Sequence, residues 1–403
     1  MIQRDRYMHQ IRAFIDKPIV KVITGMRRTG KSALLEMTKQ ELVRQGIPEV
    51  NIFYANFESL RYEKLKDYRA LYDAVVKVAE ALNGRLYILL DEIQEVSEWE
   101  RAVNSFRVDL DCDIFITGSN AKLLSGELAT HLAGRYVEIR VHPLSFSEYL
   151  DFAHANDNRE SQSIQDHFAD YLRFGGLPGI HQMNWEEPLI MQYLADIYHS
   201  VLLKDVIQRN NIRDTALLES IVLFLMDNIG NIFSAKTISD FLKNEGRKLS
   251  TETIYNYIKA LEDAFLIHKV SRFDIKGKRM LETQEKYFFT DLGFRHSILG
   301  YRKNDIGGVL ENVVFLELIR RGYDVTIGKL STTIVDFVAN RAENRLYLQV
   351  CYVLTEYNMD REFSPLEAIA DHYEKMVLST DSLYSFNRNG IRQKNITEYL
   401  VDK

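Results

Sequence analysis

A run of β-branched residues ends in a glycine, four residues follow, and a second glycine leads Lys-Ser into a helix-like stretch: IVKVITGMRRTGKSALL, residues 19–35. Few features restrict a fold as tightly. The spacing GxxxxGK[ST], set between a strand and a helix, makes a loop whose successive backbone N–H groups line one concavity at the positive end of a helix dipole. Gly25, Met26, Arg27, Arg28, Thr29, Gly30, Lys31 and Ser32 would then surround the phosphates of a nucleotide, with ATP the expected ligand. Lys31 adds charge against the β- and γ-phosphates, and Ser32 offers a hydroxyl to Mg²⁺. Arg27 and Arg28 would touch phosphate or a partner. A bare glycine-rich turn explains neither the strand before the loop nor the helix after it.

Such a loop needs a second acid for the metal. RLYILLDEIQ, residues 85–94, is an apolar strand ending in Asp91-Glu92. Asp91 would hold Mg²⁺ directly or through water, and Glu92 would polarise the attacking water. An acid pair after a strand can also be a helix cap, but its place one βαβ interval beyond the loop favours the metal role. Strand and helix alternate through VNIFYANFE (50–58), a helix near 68–82, a helix over 99–110 and CDIFITGSN (112–120). This predicts a parallel sheet flanked by helices, with its ligand at the carboxyl ends of the strands. Asn56, Ser119 and Asn120 fall at such ends. Ser119 and Asn120 would sense the γ-phosphate and Asn56 would hold Glu92 in check, although turn chemistry alone also places Asn and Ser there. Arg135, after Gly134 at the start of a strand, is either a finger reaching a neighbouring subunit's γ-phosphate or a surface ion-pair partner.

GMRRTGKSALL, LLDEIQ, ITGSNAKLL and LAGRYVEIRVHPLSFSEY, in that order, resemble prokaryotic AAA+-type P-loop ATPases of the AAA_14 group that carry a C-terminal domain of unknown function, DUF4143. FGGLPGI (174–180), LLKDVIQRNNIRD (202–214) and REFSPLEAIADHYEKMVLSTD (361–381) extend the similarity over nearly the whole chain. The resemblance implies ATP binding with slow hydrolysis, and no particular cellular role. It also implies that helix-rich residues 151–215 form a lid, with Gly175, Gly176 and Pro178 turning the chain and taking no part in chemistry.

Residues 216–290 read as a winged helix: LLESIVLFLMDNIG, then two helices opened by serine caps at SAKTISDFLKNEG and STETIYNYIKALEDAF, then two strands, LIHKVSRFDI and KYFFTD. The presumed recognition helix, 250–265, sets Lys259 against Glu252, Glu262 and Asp263, a poor balance for meeting phosphates. The wing is basic: Lys269, Arg272, Lys276, Lys278 and Arg279 against Asp274 leave a net +4 over 268–281. DNA held through its backbone and a partner protein are both open as its occupant.

From 291 to 403 the order helix, acidic strand, strand, helix matches a restriction-endonuclease-like fold. Glu311 and Asp336 stand where its metal carboxylates belong, but Gln349-Val350-Cys351 replaces Glu-x-Lys. A neutral amide is a weak ligand for Mg²⁺ and a thiol carries no cation, so nuclease chemistry is expected to be crippled or gone. Lys329 is a substitute cation that nothing in the sequence supports; Glu311 and Asp336 are also explained as buried, hydrogen-bonded polar groups.

The expected fold class is therefore α/β: a P-loop NTPase core (1–150), helical lid (151–215), winged helix (216–290) and C-terminal α/β restriction-endonuclease-like domain (291–403), in accord with a chain of 403 residues. A net charge of −6 excludes a general attraction to nucleic acid or anionic lipid. Two widely separated cysteines exclude a disulfide framework, and no run is apolar enough to span a bilayer; a cytoplasmic protein is expected. Two functions fit: an Mg²⁺-dependent ATPase that repositions its wing and C-terminal domain, possible partners being DNA or further copies of itself; or a nucleotide-gated signalling or defence switch that binds a partner protein with negligible turnover.

Overall fold

The computed structural model describes residues 2–124, 132, 134–155, 162–244, 246, 249–381 and 386–402, with the side chains of 122, 124, 282 and 303 left out. Two compact units result: residues 1–142 with 263–265, and residues 143–262 with 266–403.

The first unit is a five-stranded parallel sheet in the order β2-β3-β4-β1-β5, with β1 (Val20–Thr24), β2 (Ile52–Asn56), β3 (Leu86–Asp91), β4 (Cys112–Gly118) and β5 (Tyr136–Arg140). Both faces are covered, which is why β1 and β3 are apolar runs rather than alternating ones. Helices α1 (Asp5–Phe14) and α2 (Lys31–Arg44) bury Tyr7, Ile11, Leu34, Leu35 and Leu42 on one face. Helices α3 (Tyr68–Glu80) and α4 (Trp99–Asp109) bury Leu71, Val75, Val103 and Phe106 on the other. Each such side chain removed from water contributes about 1.5–3 kcal/mol. The one cation within β1, Lys21, is fully buried and ion-paired to Asp113 of β4.

In the second unit α5 (Phe146–Ala155), α6 (Ile164–Phe174) and α7 (Glu187–Val201) fill the stretch expected to be helical, and α7 continues into a π-helical turn at Leu202–Gln208. The FGGLPGI turn has a specific cause. The buried carboxylate of Asp291 accepts the N–H groups of Gly176 and Gly293, each at 2.8 Å. A Cβ on Gly175, whose φ is +75°, would stand 2.0 Å from that carboxylate.

Burial pushes Asp291 up to about 7, against the opposing pull of the Gly176 and Gly293 N–H groups and Arg320. A carboxyl that holds its proton more tightly folded than unfolded stabilises fully below about pH 4 and loses that stabilisation as pH rises through about 7. The second unit should therefore lose about 2–3 kcal/mol of stability between pH 5 and pH 8 from this group. Urea titrations of Trp185 fluorescence in a Trp99→Phe background should show the loss, and Asp291→Asn should flatten it.

The three helices expected next are α8 (Thr215–Asp227), α9 (Ala235–Asn244) and α10 (Thr251–Asp263). Ser234 and Ser250 cap the second and third, accepting the N–H groups of Thr237 at 3.3 Å and Thr253 at 3.1 Å. The hairpin β6 (Ile267–Asp274) and β7 (Arg279–Phe289) is not a free wing, however. With β8 (Asp324–Leu330), β9 (Thr333–Arg341), β10 (Asn344–Val350), β11 (Glu374–Ser379), β12 (Asn387–Arg388) and β13 (Ile391–Asn395) it forms an eight-stranded sheet ordered β12-β13-β11-β10-β9-β8-β6-β7. The join is a parallel pairing of β6 with β8, Arg272 opposite Ile327. One sheet thus runs through the boundary expected at 290. Around it lie α11 (Leu292–Leu299), α12 (Ile306–Arg320), α13 (Met359–Glu367) and α14 (Ile396–Val401). No helix among the described residues is long and apolar enough to cross a membrane.

Candidate nucleotide site

The sheet order places β1 in the interior, between β4 and β5, and its carboxyl end opens into the glycine loop. Gly25 has φ +143°, and a Cβ there would stand 2.2 Å from the Val141 carbonyl, so no other residue fits without moving the chain. Gly30 has φ +98° with open space where a Cβ would project. Arg28, between them, takes the left-handed φ of +68°, uncommon for a side chain of that size. Such strain concentrates where geometry is dictated by function. Thr29 closes the loop by donating to the Met26 carbonyl at 2.9 Å. Arg4, buried before α1, donates to the Thr29 carbonyl at 3.0 Å, a brace that no sequence pattern announced. Arg27 is paired with Glu58 at 2.9 Å, Arg28 is exposed, and Met26 is buried beneath the loop.

Lys31 opens α2 and its ammonium turns back into the loop, 3.1 Å from the Met26 carbonyl and 3.5 Å from the Glu92 carboxylate. Asp91, fully buried at the end of β3, accepts from Thr117 at 2.6 Å, from Asn56 at 2.8 Å and from the Ser32 hydroxyl. Burial raises its pKa above the usual carboxylate range, with the Thr117 and Ser32 bonds opposing. A divalent cation beside the Ser32 and Asp91 oxygens would reverse that rise and is well matched to the pair. Glu92 also sits in the left-handed region, φ +53°, its N–H held by Thr117 Oγ1 at 2.9 Å and its carboxylate by Gln94.

The structure thus brings Gly25 to Ser32, Asp91 and Glu92 together. Ser119 and Asn120 are buried at the carboxyl end of β4, the same end of the sheet. The Asn56 amide is directed to Asp91; the amide on Glu92 is that of Gln94. This differs from the sequence expectation because β2 and β3 are in register, with Asn56 directly opposite Asp91. Thr117 and Gln94 were missed; only the strand end ITGSN hinted at the first.

Arg135 lies elsewhere. Its carbonyl accepts the Val20 N–H at 2.9 Å, at the amino ends of β5 and β1. Five residues of β1 separate that edge from the loop, roughly 16 Å. Arg135 is exposed there, and close enough to Arg107 to help burial lower the latter's pKa.

Residues 17–150 match the AAA domain family model. The full chain is 40% identical to an uncharacterized protein of Haemophilus influenzae, over 100% of this chain and 99% of the relative. It is 33% identical to an uncharacterized protein of Methanocaldococcus jannaschii, over 87% of this chain and 79% of that one. The chain belongs to one family with these two proteins, and residues 17–150 are its AAA domain. Among solved structures, a Walker-type ATPase of Pyrococcus abyssi superposes with a TM-score of 0.54 at 14% identity, over 74% of this chain and 96% of that chain, a likeness of fold. Beyond the AAA domain, residues 165–305 match the model of a domain of unknown function, DUF8612, in place of the expected DUF4143. Its span crosses the boundary at 290, as the continuous sheet does.

The basic hairpin is less available than its composition suggested. Lys269 is paired with Glu285 at 2.9 Å, and Arg272 is buried, bonded to the Thr283 carbonyl at 2.9 Å. Lys276, Lys278 and Arg279 remain exposed at the tip.

Proposed function

We propose that this AAA+ protein is an Mg²⁺-dependent ATPase that works as a homo-oligomer, each copy offering Arg135 to the nucleotide of another. One observation carries this: phosphate-facing Lys31 and candidate base Glu92 lie at the carboxyl end of the sheet, and Arg135 is exposed at its amino end. A side chain cannot bridge that separation, so any phosphate met by Arg135 is carried by a second copy. Mg²⁺, held between Ser32 and Asp91, would neutralise phosphate charge when bound. The chain's own residues do the rest. Loop N–H groups and Lys31 bind the phosphates, which draws the ammonium away from Met26 and Glu92. The freed Glu92 carboxylate then takes a proton from the attacking water, oriented by Gln94. Ser119 and Asn120 register the γ-phosphate, and the second unit responds to nucleotide state.

Complementation tests the assignment. Arg135→Ala and Glu92→Gln should each be slow alone. Mixed in equal amounts, they should recover turnover several-fold, because some interfaces join an intact base to an intact arginine. Mixtures no faster than their components overturn the shared site.

A second reading has its own support: Glu92 is held by both Lys31 and Gln94, which favours slow turnover and a nucleotide-gated switch. With three exposed cations at the tip, DNA contact is weak and salt-sensitive at most. Stimulation of turnover by duplex or single-stranded DNA separates the two.

A further inference from the structure

Far along the chain from the nucleotide loop, side chains of five elements meet on the wall of a groove of about 1090 Å³ in the second unit. Lys286 of β7, only 4% exposed, places its ammonium 2.5 Å from Glu311 of α12 and 3.3 Å from Asp336 of β9. The other Asp336 oxygen accepts the Val350 N–H at 3.0 Å. Gln349 of β10 accepts the Asp336 N–H at 2.8 Å and donates to Glu362 at 3.5 Å. The lysine that sequence reasoning sought at 329 or 351 comes instead from the hairpin, because β7 lies in the same sheet as β9 and β10.

An Mg²⁺ ion between Glu311 and Asp336 would need their oxygens at about 2.0–2.1 Å. The ammonium nitrogen already fills that volume, touching the same two carboxylates. The remaining donors are committed as well: both Asp336 oxygens and the Gln349 oxygen accept from the protein. Among the described residues, no three His, Cys, Asp or Glu side chains gather as a metal-binding group. The residues do not fit the metal centre of a restriction-endonuclease-like fold.

We propose that Lys286 is the resident cation of this groove, standing where a divalent ion would bridge Glu311 and Asp336, so that the carboxylates form a metal-free charge lock over a latent cation site. Removing the ammonium leaves two neighbouring carboxylates with no counter-charge, which a divalent ion then satisfies. The lock is independent of the ATPase assignment, since it involves no residue of the first unit.

Mn²⁺ binding to the full chain without nucleotide, counted by electron paramagnetic resonance up to about 1 mM ion, tests it. Ions that disappear on Asp336→Asn belong to the groove. Wild type should lose none. Lys286→Met, with folding verified by circular dichroism, should gain one Mn²⁺ per chain, lost again in Lys286→Met/Asp336→Asn. A wild-type ion that Asp336→Asn removes would overturn the proposal, because ion and lysine would then coexist as they would in a working hydrolytic centre. A folded Lys286→Met protein with no added ion would overturn it too. Should Lys286→Met not fold, the wild-type pair decides the question alone.

Discussion

Glu92→Gln should retain ATP at close to wild-type affinity while turning it over about 100- to 1000-fold more slowly. The substitution keeps shape, burial and a hydrogen-bond partner for Gln94, and removes only the capacity to accept a proton. General-base catalysis contributes about 10²–10⁴ in rate, and each tenfold corresponds to about 1.4 kcal/mol of barrier. Affinity should be kept or improved, because a neutral amide no longer competes with phosphate for the Lys31 ammonium, which lies 3.5 Å from the native carboxylate. Single-turnover hydrolysis and nucleotide titration, run on the same sample, check both halves. Wild-type turnover in Glu92→Gln protein would pass the base to another residue. Gln94 cannot take it, being an amide.

The loop and the acid pair were legible because their chemistry is local: a spacing of glycines, a lysine, and a strand ending in Asp-Glu fix the site before any tertiary contact is known. Helix caps at Ser234 and Ser250 were legible for the same reason. What stayed hidden depends on strand order. Asn56 meets Asp91 because β2 and β3 align in register, and a list of strand ends does not contain register. Arg135 was assigned to a strand start, but only the parallel pairing of β5 with β1 puts it at the edge remote from the loop. The basic hairpin looked like an independent wing since two amphipathic strands and a charged turn fit either fate. The parallel partner that absorbed it, β8, lies some fifty residues on. Lys286 was invisible as a groove residue for that reason too: until β6 and β7 join the sheet, nothing connects KYFFTD with IVDFVANRAENRLYLQVCYVL.

Lys31→Met should weaken ATP binding by at least about a hundredfold, the largest effect on affinity available from one side chain. A hydrogen bond to an ionised group is worth about 1.5–3 kcal/mol, and Lys31 is placed to meet two phosphate groups with the strength of a buried charge. Methionine keeps most of the side chain's volume in a position only 3% exposed, so the loss reports charge rather than collapse of the loop. The substitution also strands Glu92 near Asp91, two carboxylates at the end of one buried strand without their nearest ammonium. That repulsion raises the proton affinity of the pair, so Asp91 gives up Mg²⁺ more readily and the little binding that remains should weaken further as pH falls. Calorimetric titrations with ATP and Mg²⁺ at two pH values measure both effects. Affinity within threefold of wild type would mean that the backbone N–H groups hold the phosphates unaided, and the proposed release of Glu92 by a departing Lys31 would have no physical basis.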